Sequence, residues 1–300
     1  MVSTMQKRSL IVIVGLLLIG FSSQALAHML WVNLYESFAL PPGHVTVSLG
    51  YGHTVPMDDL LVTEGAKLWL ASYELIDPDG KRIQLPKPNM EINETIKTNL
   101  GITVHCGDLG IRKISLSDRT KPGTYQVVAT SKDGFFTLYQ DKKGKRKWVT
   151  KPINQVKDAK KIIHSVNYKA FAKAFFSIKK WTKPKPAGFE LEIIPITDLA
   201  SVHVGDIVQF QINLMGRPFS SRPDKLEYIT ATSNSFGGPD SFFLSAIIYR
   251  GKAQFRMPAA GQWVVSVGIM EEVTKDHFKE FLAKCTKVGY VSTISFNVKP

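Results

Sequence analysis

Apolar and polar residues alternate in short stretches along most of the chain. His44-Val-Thr-Val-Ser-Leu49 and Lys67-Leu-Trp-Leu-Ala-Ser-Tyr73 come first, followed by Tyr125-Gln-Val-Val-Ala129 and Gly134-Phe-Phe-Thr-Leu-Tyr139. A period of two over four to eight residues predicts strands that bury one face. The turns between them have a mechanism: in Asp77-Pro-Asp-Gly80 and Lys121-Pro-Gly-Thr124 the proline presets φ and the glycine accepts positive φ. The alternation resumes at Phe189-Glu-Leu-Glu-Ile-Ile194 and Val208-Gln-Phe-Gln-Ile-Asn-Leu214, which leads into the turn Met215-Gly-Arg-Pro218. Gly251–Met257, Gly261–Val267 and Val291–Val298 continue it. The pattern predicts a mainly β protein with two β-sandwich domains of immunoglobulin or transthyretin type, over residues 28–140 and 188–300.

Between the two halves the period changes. Ile162, Ile163, Val166, Ala170, Phe171, Ala174, Phe175, Ile178 and Trp181 recur at helical spacing, with Lys160, Lys161, Lys169, Lys173, Lys179 and Lys180 on the other face. This predicts an amphipathic helix over 158–181, capped by Asp158 and stopped by Pro184 and Pro186. Residues 141–187 thus read as a linker made of a basic hairpin and that helix. A second, short polar helix is expected near Thr274–Lys284.

The N-terminus reads as a secretory signal peptide over 1–27. Lys7 and Arg8 precede the apolar run Leu10–Phe21, which at twelve residues is short of the roughly 20 that span a bilayer. Ala25-Leu26-Ala27 supplies a small-residue cleavage site. Cleavage after Ala27 makes His28 the first residue and places the protein in the periplasm. The rival readings are an uncleaved anchor and a cut after Ala25.

Of the 300 residues 44% are hydrophobic and 21% charged, an ordinary globular composition that excludes a disordered or fibrous chain. The formal net charge of +13 is uneven: residues 142–185 hold fifteen Lys and Arg and one acid, Asp158. In an exported protein this argues against nucleic acid and for an anionic membrane surface or an acidic partner. The plainer alternative is a helix packed on a sandwich with a solvated lysine face. Cys106 and Cys285, the two cysteines, allow one disulfide or two unpaired thiols.

No Gly-x-Ser-x-Gly elbow, phosphate-binding glycine loop, His-Glu-x-x-His or Cys-x-x-Cys is present. The chain is therefore expected to be no enzyme of a familiar hydrolytic or nucleotide-dependent kind. Histidine is the informative residue type. As a first residue, His28 offers an amine and an imidazole that can chelate one ion together. His53, in Tyr51-Gly-His-Thr-Val-Pro-Met-Asp-Asp59, offers a second imidazole with Asp58 close behind, and His105 lies beside Cys106 and Asp108. Such nitrogen-rich sets suit copper, nickel or zinc. His44, His164, His203 and His277 lack supporting neighbours. The aromatic residues Trp31, Tyr35, Phe38, Tyr51, Trp69 and Tyr73 form either a stacking surface or sandwich core.

Ala27-His-Met-Leu-Trp31 and Gly52-His-Thr-Val-Pro-Met-Asp58, with Asp77-Pro-Asp-Gly80, Lys121-Pro-Gly-Thr-Tyr125, Tyr168-Lys-Ala-Phe-Ala-Lys-Ala174, Val204-Gly-Asp206, Gly216-Arg-Pro218 and Gly261-Gln-Trp263, occur in an order that resembles a bacterial family of exported proteins. That family is an uncharacterised domain often described as the periplasmic component of cobalt or nickel uptake systems. The resemblance implies a metal-binding accessory that hands nickel or cobalt to the membrane subunits of a transporter. Of the family's motif positions with ligand chemistry, it carries over His28, His53 and Asp58. Two rivals stand beside it: a copper enzyme using an N-terminal histidine chelate, and a metal-free two-domain binding or adhesion module.

Overall fold

The alternating segments form strands because each has one apolar face to bury and a turn on either side to reverse the chain. The computed structural model describes residues 28–56, 69–89, 91–221, 226–236 and 243–300. In chain order the strands are β1 (Met29–Leu34), β2 (Phe38–Ala39), β3 (Gly43–Gly52), β4 (Leu70–Ile76), β5 (Arg82–Gln84), β6 (Glu94–Lys97), β7 (Thr103–Cys106), β8 (Arg112–Leu116), β9 (Gly123–Ser131) and β10 (Gly134–Asp141). They continue with β11 (Arg146–Val149), β12 (Ala159–Ile178), β13 (Leu191–Pro195), β14 (Ile207–Leu214), β15 (Arg217–Pro218), β16 (Tyr228–Ser233), β17 (Leu244–Ile247), β18 (Lys252–Arg256), β19 (Gly261–Glu272) and β20 (Lys287–Val298). The expected mainly β, immunoglobulin-like sandwich architecture is what the chain adopts.

An eleven-stranded sheet runs β17-β16-β19-β20-β12-β9-β4-β5, with β10, β11 and β2 attached beside β12. A three-stranded sheet, β1-β3-β8, and a four-stranded sheet of β13, β14, β15 and β18 complete the two sandwiches. Strand β12 shows how the layers stack. Ala170, Ala172, Ala174, Phe176 and Ile178 belong to one apolar core with Leu30, Val32 and Val47 of the three-stranded sheet. Phe171 and Phe175, at the alternate positions, belong to a second core with Ile193, Phe210 and Phe296. Since successive strand side chains point to opposite faces, the two cores lie on opposite sides of one shared sheet.

The expected helix over 158–181 is not formed: residues 159–178 are one strand of twenty residues. The physical reason lies in burial on both faces. A strand covered on both sides reads as a near-continuous apolar run, and helical spacing can be picked out of such a run as easily as alternation. Its aromatic content and its neighbours β9, β10 and β20 settle the matter in favour of a strand. The six lysines do not share one solvated face: Lys160, Lys161, Lys179 and Lys180 are exposed, while Lys169 and Lys173 are held in ion pairs. Lys169 pairs with Glu190, and Lys173 is 1% exposed, its Nζ 2.7 Å from Oε1 of Glu192, itself 2% exposed. Burial pulls the Lys173 pKa down, while the charge of Glu192 and its hydrogen bond oppose that. The second expected helix, near 274–284, is reduced to one 3₁₀ turn at Lys279–Phe281. Cys106 and Cys285 are unpaired thiols, half-buried and buried respectively.

Candidate functional site

The register of β1 on β3 builds the site. The two strands are antiparallel, with Met29 opposite Gly52, Leu30 opposite Tyr51 and Trp31 opposite Gly50. One step further out, that register sets His28 opposite His53. Their ring centroids are 4.5 Å apart with the planes tilted by 50°. The Tyr51 ring stacks on His28 with centroids 5.3 Å apart and planes within 15°. Two histidines separated by 24 intervening residues thus become a cross-strand pair at the open end of a sheet.

Side chains of the central sheet hold β1 in place. Thr293 Oγ1 donates to the Leu30 carbonyl at 2.6 Å, Ser295 Oγ donates to the Val32 carbonyl, and Asn297 Nδ2 donates to the Leu34 carbonyl at 2.9 Å. The Tyr168 hydroxyl continues the series onto the His28 carbonyl at 3.3 Å. Burial raises the Tyr168 pKa, so the hydroxyl keeps its proton and stays a donor. The outward carbonyls of residues 28, 30, 32 and 34 therefore meet side-chain donors where a neighbouring strand would otherwise stand.

The turn after His53 is clamped from below. Trp31 Nε1 donates to Asn33 Oδ1 at 2.8 Å and to the Pro56 carbonyl at 3.0 Å. Asn33 Nδ2 donates to the same Pro56 carbonyl at 3.0 Å and to Ser48 Oγ at 3.1 Å. Gln262 Nε2 of β19 donates to Asn33 Oδ1 at 2.9 Å, which ties the clamp to the large sheet. Gly50 makes room for it: a Cβ there would lie 2.1 Å from Trp31 Nε1 and 2.7 Å from the Pro56 oxygen. Trp31 is fully buried in a small cluster with Met29, Val55 and Val264, and Tyr73 is also fully buried, so these two aromatic residues are core. Tyr35, Phe38 and Trp69 are exposed.

Of the four expected ligands, the structure brings two together, His28 and His53. Asp58 lies outside the described residues. His105 sits on the β6–β7 hairpin opposite Thr95, with its Nδ1 3.4 Å from Thr95 Oγ1. The neighbouring Asp108 is committed elsewhere, to a two-point ion pair with Arg112 at 3.1 Å for both contacts and to the Gly110 amide. Those bonds hold the Asp108 carboxyl below its ordinary pKa. Among the described residues no group of three or more His, Cys, Asp or Glu side chains is placed to hold a metal ion. The sequence places Tyr51 and Trp31 only among the aromatic residues and does not point to Tyr168 or to the Trp31–Asn33 clamp. Its one available sign was the alternation Thr293-x-Ser295-x-Asn297 on a strand otherwise rich in apolar residues.

No helix among the described residues is long and apolar enough to cross a membrane. No curated protein matches the chain. Similar solved structures include Salmonella alpha-2-macroglobulin, at 10% identity over 89% of this chain with a TM-score of 0.24. This chain spans 15% of that one. The N-terminal Ig1-2 module of the Drosophila receptor protein tyrosine phosphatase DLAR is 12% identical over 91% of this chain and 100% of its own, with a TM-score of 0.19. Murine CEACAM1b is 12% identical over 90% of this chain and 98% of its own, with a TM-score of 0.18. Likenesses this distant do not bear on the site. Residues 25–271 match the model of the family described as Domain of unknown function (DUF4198), and the chain belongs to that family.

Proposed function

We propose that the protein is a periplasmic accessory that binds one divalent transition metal ion through His28 and His53 and passes it to the membrane subunits of a nickel or cobalt transporter. The observation that carries the metal site is the cross-strand pairing of the two imidazoles, with ring centroids 4.5 Å apart. Imidazole is a ligand for copper, nickel and zinc alike, so the donor set fits a divalent ion of this series. Cleavage after Ala27 would add the His28 amine as a third nitrogen. Asp58, five residues after His53, is the proposed oxygen ligand or the partner that orients one of the rings. The nickel or cobalt cargo and the transporter partner rest on the resemblance drawn from the sequence motifs.

The chain's own contribution is positional. Tyr51 packs on the His28 ring, Tyr168 fixes its carbonyl, and the Trp31–Asn33 clamp holds the turn that carries His53. A site whose ligands are locked before binding loses less entropy when the ion arrives. The same nitrogen set favours the copper enzyme reading, because Cu(II) binds such donors more tightly than its neighbours in the series. Elemental analysis of the protein purified from the periplasm tests both. Nickel or cobalt supports the uptake reading. Copper together with oxygen consumption supports the enzyme reading, and no metal at all supports a binding module.

A further inference from the structure

A second feature does not rest on the metal reading. Beside β12, β10 and β11 form a hairpin, paired from Thr137 with Val149 to Gln140 with Arg146. Its turn exposes Lys142, Lys143 and Lys145, and β11 exposes Arg146, Lys147 and Trp148. The acid within the turn is used internally. Asp141 accepts the backbone N–H groups of Lys143 and Lys145 at 2.9 Å each, and pairs with Lys147 at 3.0 Å. These bonds fix the turn shape while the lysine side chains project outward.

Register gathers aromatic and basic groups on one face. Leu138 is opposite Trp148 on one side and His164 on the other, and Gln140 is opposite Arg146 and Lys161. Phe136, Leu138 and Gln140 share a face because they are two residues apart. On that face the Phe136 and Trp148 rings stack with centroids 5.8 Å apart, and they are 39% and 50% exposed. Exposed Ile163 lies at the bulge beside them. The surface is thus an aromatic pair toward the base of the hairpin, with the cations of Arg146 and the turn beyond it.

We infer that this hairpin docks the protein on an anionic phospholipid surface, with Trp148 and Phe136 at the interface and Lys142, Lys143, Lys145 and Arg146 over the headgroups. Charge complementarity calls for an anionic surface, and the form of the patch favours a bilayer over an acidic protein. A stable protein interface needs about 800 Å² per partner with a shaped apolar centre. One aromatic pair on a two-stranded hairpin is smaller than that. A bilayer needs no matching pocket: it takes amphipathic rings at headgroup depth and attracts cations one by one.

The test is co-sedimentation of the full purified chain with vesicles of equimolar phosphatidylglycerol and phosphatidylcholine, beside vesicles of phosphatidylcholine alone. The expected result is binding to the anionic vesicles that weakens with salt. The combined substitution Lys142→Gln, Lys143→Gln and Lys145→Gln is expected to lower the partition about 100-fold, at roughly fivefold per cation. Trp148→Ala keeps every charge and is also expected to lower the partition, which charge attraction alone does not predict. Circular dichroism checks that both variants keep the strand signal. Equal binding by parent and variants, or no binding to the anionic vesicles, overturns the inference. Binding to polyglutamate without binding to vesicles also overturns it and assigns the hairpin to an acidic protein.

Discussion

The hydroxyl of Thr293 donates to the carbonyl of Leu30 at 2.6 Å, and both residues are fully buried. This bond joins the strand at the end of the chain to the strand that carries His28 at its head. Thr293→Val keeps the shape and removes the donor, leaving a buried carbonyl without its partner. The expected loss is about 1–3 kcal/mol of unfolding free energy, with Thr293→Ser losing less. Urea midpoints of the three proteins check this. An unchanged midpoint for Thr293→Val contradicts the stitching of β1 by side chains.

Gly50 is required by the clamp beneath His53. In Gly50→Ala the new methyl group would meet the Trp31 indole and the Pro56 carbonyl well inside contact distance. Overpacking of this kind costs about 1–3 kcal/mol, and here it also displaces the turn that aims His53. Thermal unfolding should show the loss, and metal titration should show a weaker site. A variant as stable as the parent means the Trp31 ring does not cross Gly50 as described.

Lys173 and Glu192 form an ion pair inside the second core. Removing one partner strands the other charge in an apolar setting, so Lys173→Met should cost about 3–5 kcal/mol. Glu192 also accepts the Ala187 and Gly188 amides, which Glu192→Gln can still do in part through its oxygen. The double variant, Lys173→Met with Glu192→Gln, is therefore expected to recover some of the stability that Lys173→Met loses. Chemical unfolding of the single and double variants measures the coupling. Strict additivity of the two losses contradicts the pairing.

The Asp108–Arg112 pair gives the fold a pH dependence of known sign. The Asp108 pKa is lowered first by the hydrogen bond from Arg112, and the Gly110 amide adds to it. A carboxyl with a depressed folded-state pKa contributes stability above its ordinary value of 3.8, and that contribution disappears as pH falls through the folded value. Asp108→Asn should thus be less stable than the parent at neutral pH, with the gap closing below pH 3.8. Unfolding midpoints across that range decide it. A gap that stays constant with pH means the loss comes from packing rather than charge.

Alternation made the strands from Gly134 and Val208 legible, because each keeps a more exposed face that leaves the period visible, whereas the strand from Tyr125 is buried on both faces and was marked by the Pro-Gly turn before it. The same reading failed at Val166–Ile178. There both faces are covered, and the polarity that marks a strand is gone. Lys169 and Lys173 strengthened the error, since a lysine in such a run reads as a solvent marker, while Glu190 and Glu192 arrive from a segment some twenty residues later. At the site, His28 and His53 stood out by chemistry alone. Their adjacency depends on the pairing of β1 with β3, which the sequence does not state. Tyr168 and Thr293 reach β1 from 140 and 263 positions away, and no local pattern reports such contacts.

The central claim is a metal site made by His28 and His53, and calorimetric titration tests it most directly. The protein processed after Ala27 is compared with one carrying an extra Met before His28 and with His53→Ala, each against Cu(II), Ni(II) and Co(II). Copper should bind tightest in solution whatever the biological cargo. Amine and imidazole donors bind in their neutral forms, so affinity should fall as the pH is lowered. Both variants should bind more weakly than the processed protein, because one loses the terminal chelate and the other loses the cross-strand imidazole. Equal affinity in all three proteins, or no binding by the processed protein, contradicts the account.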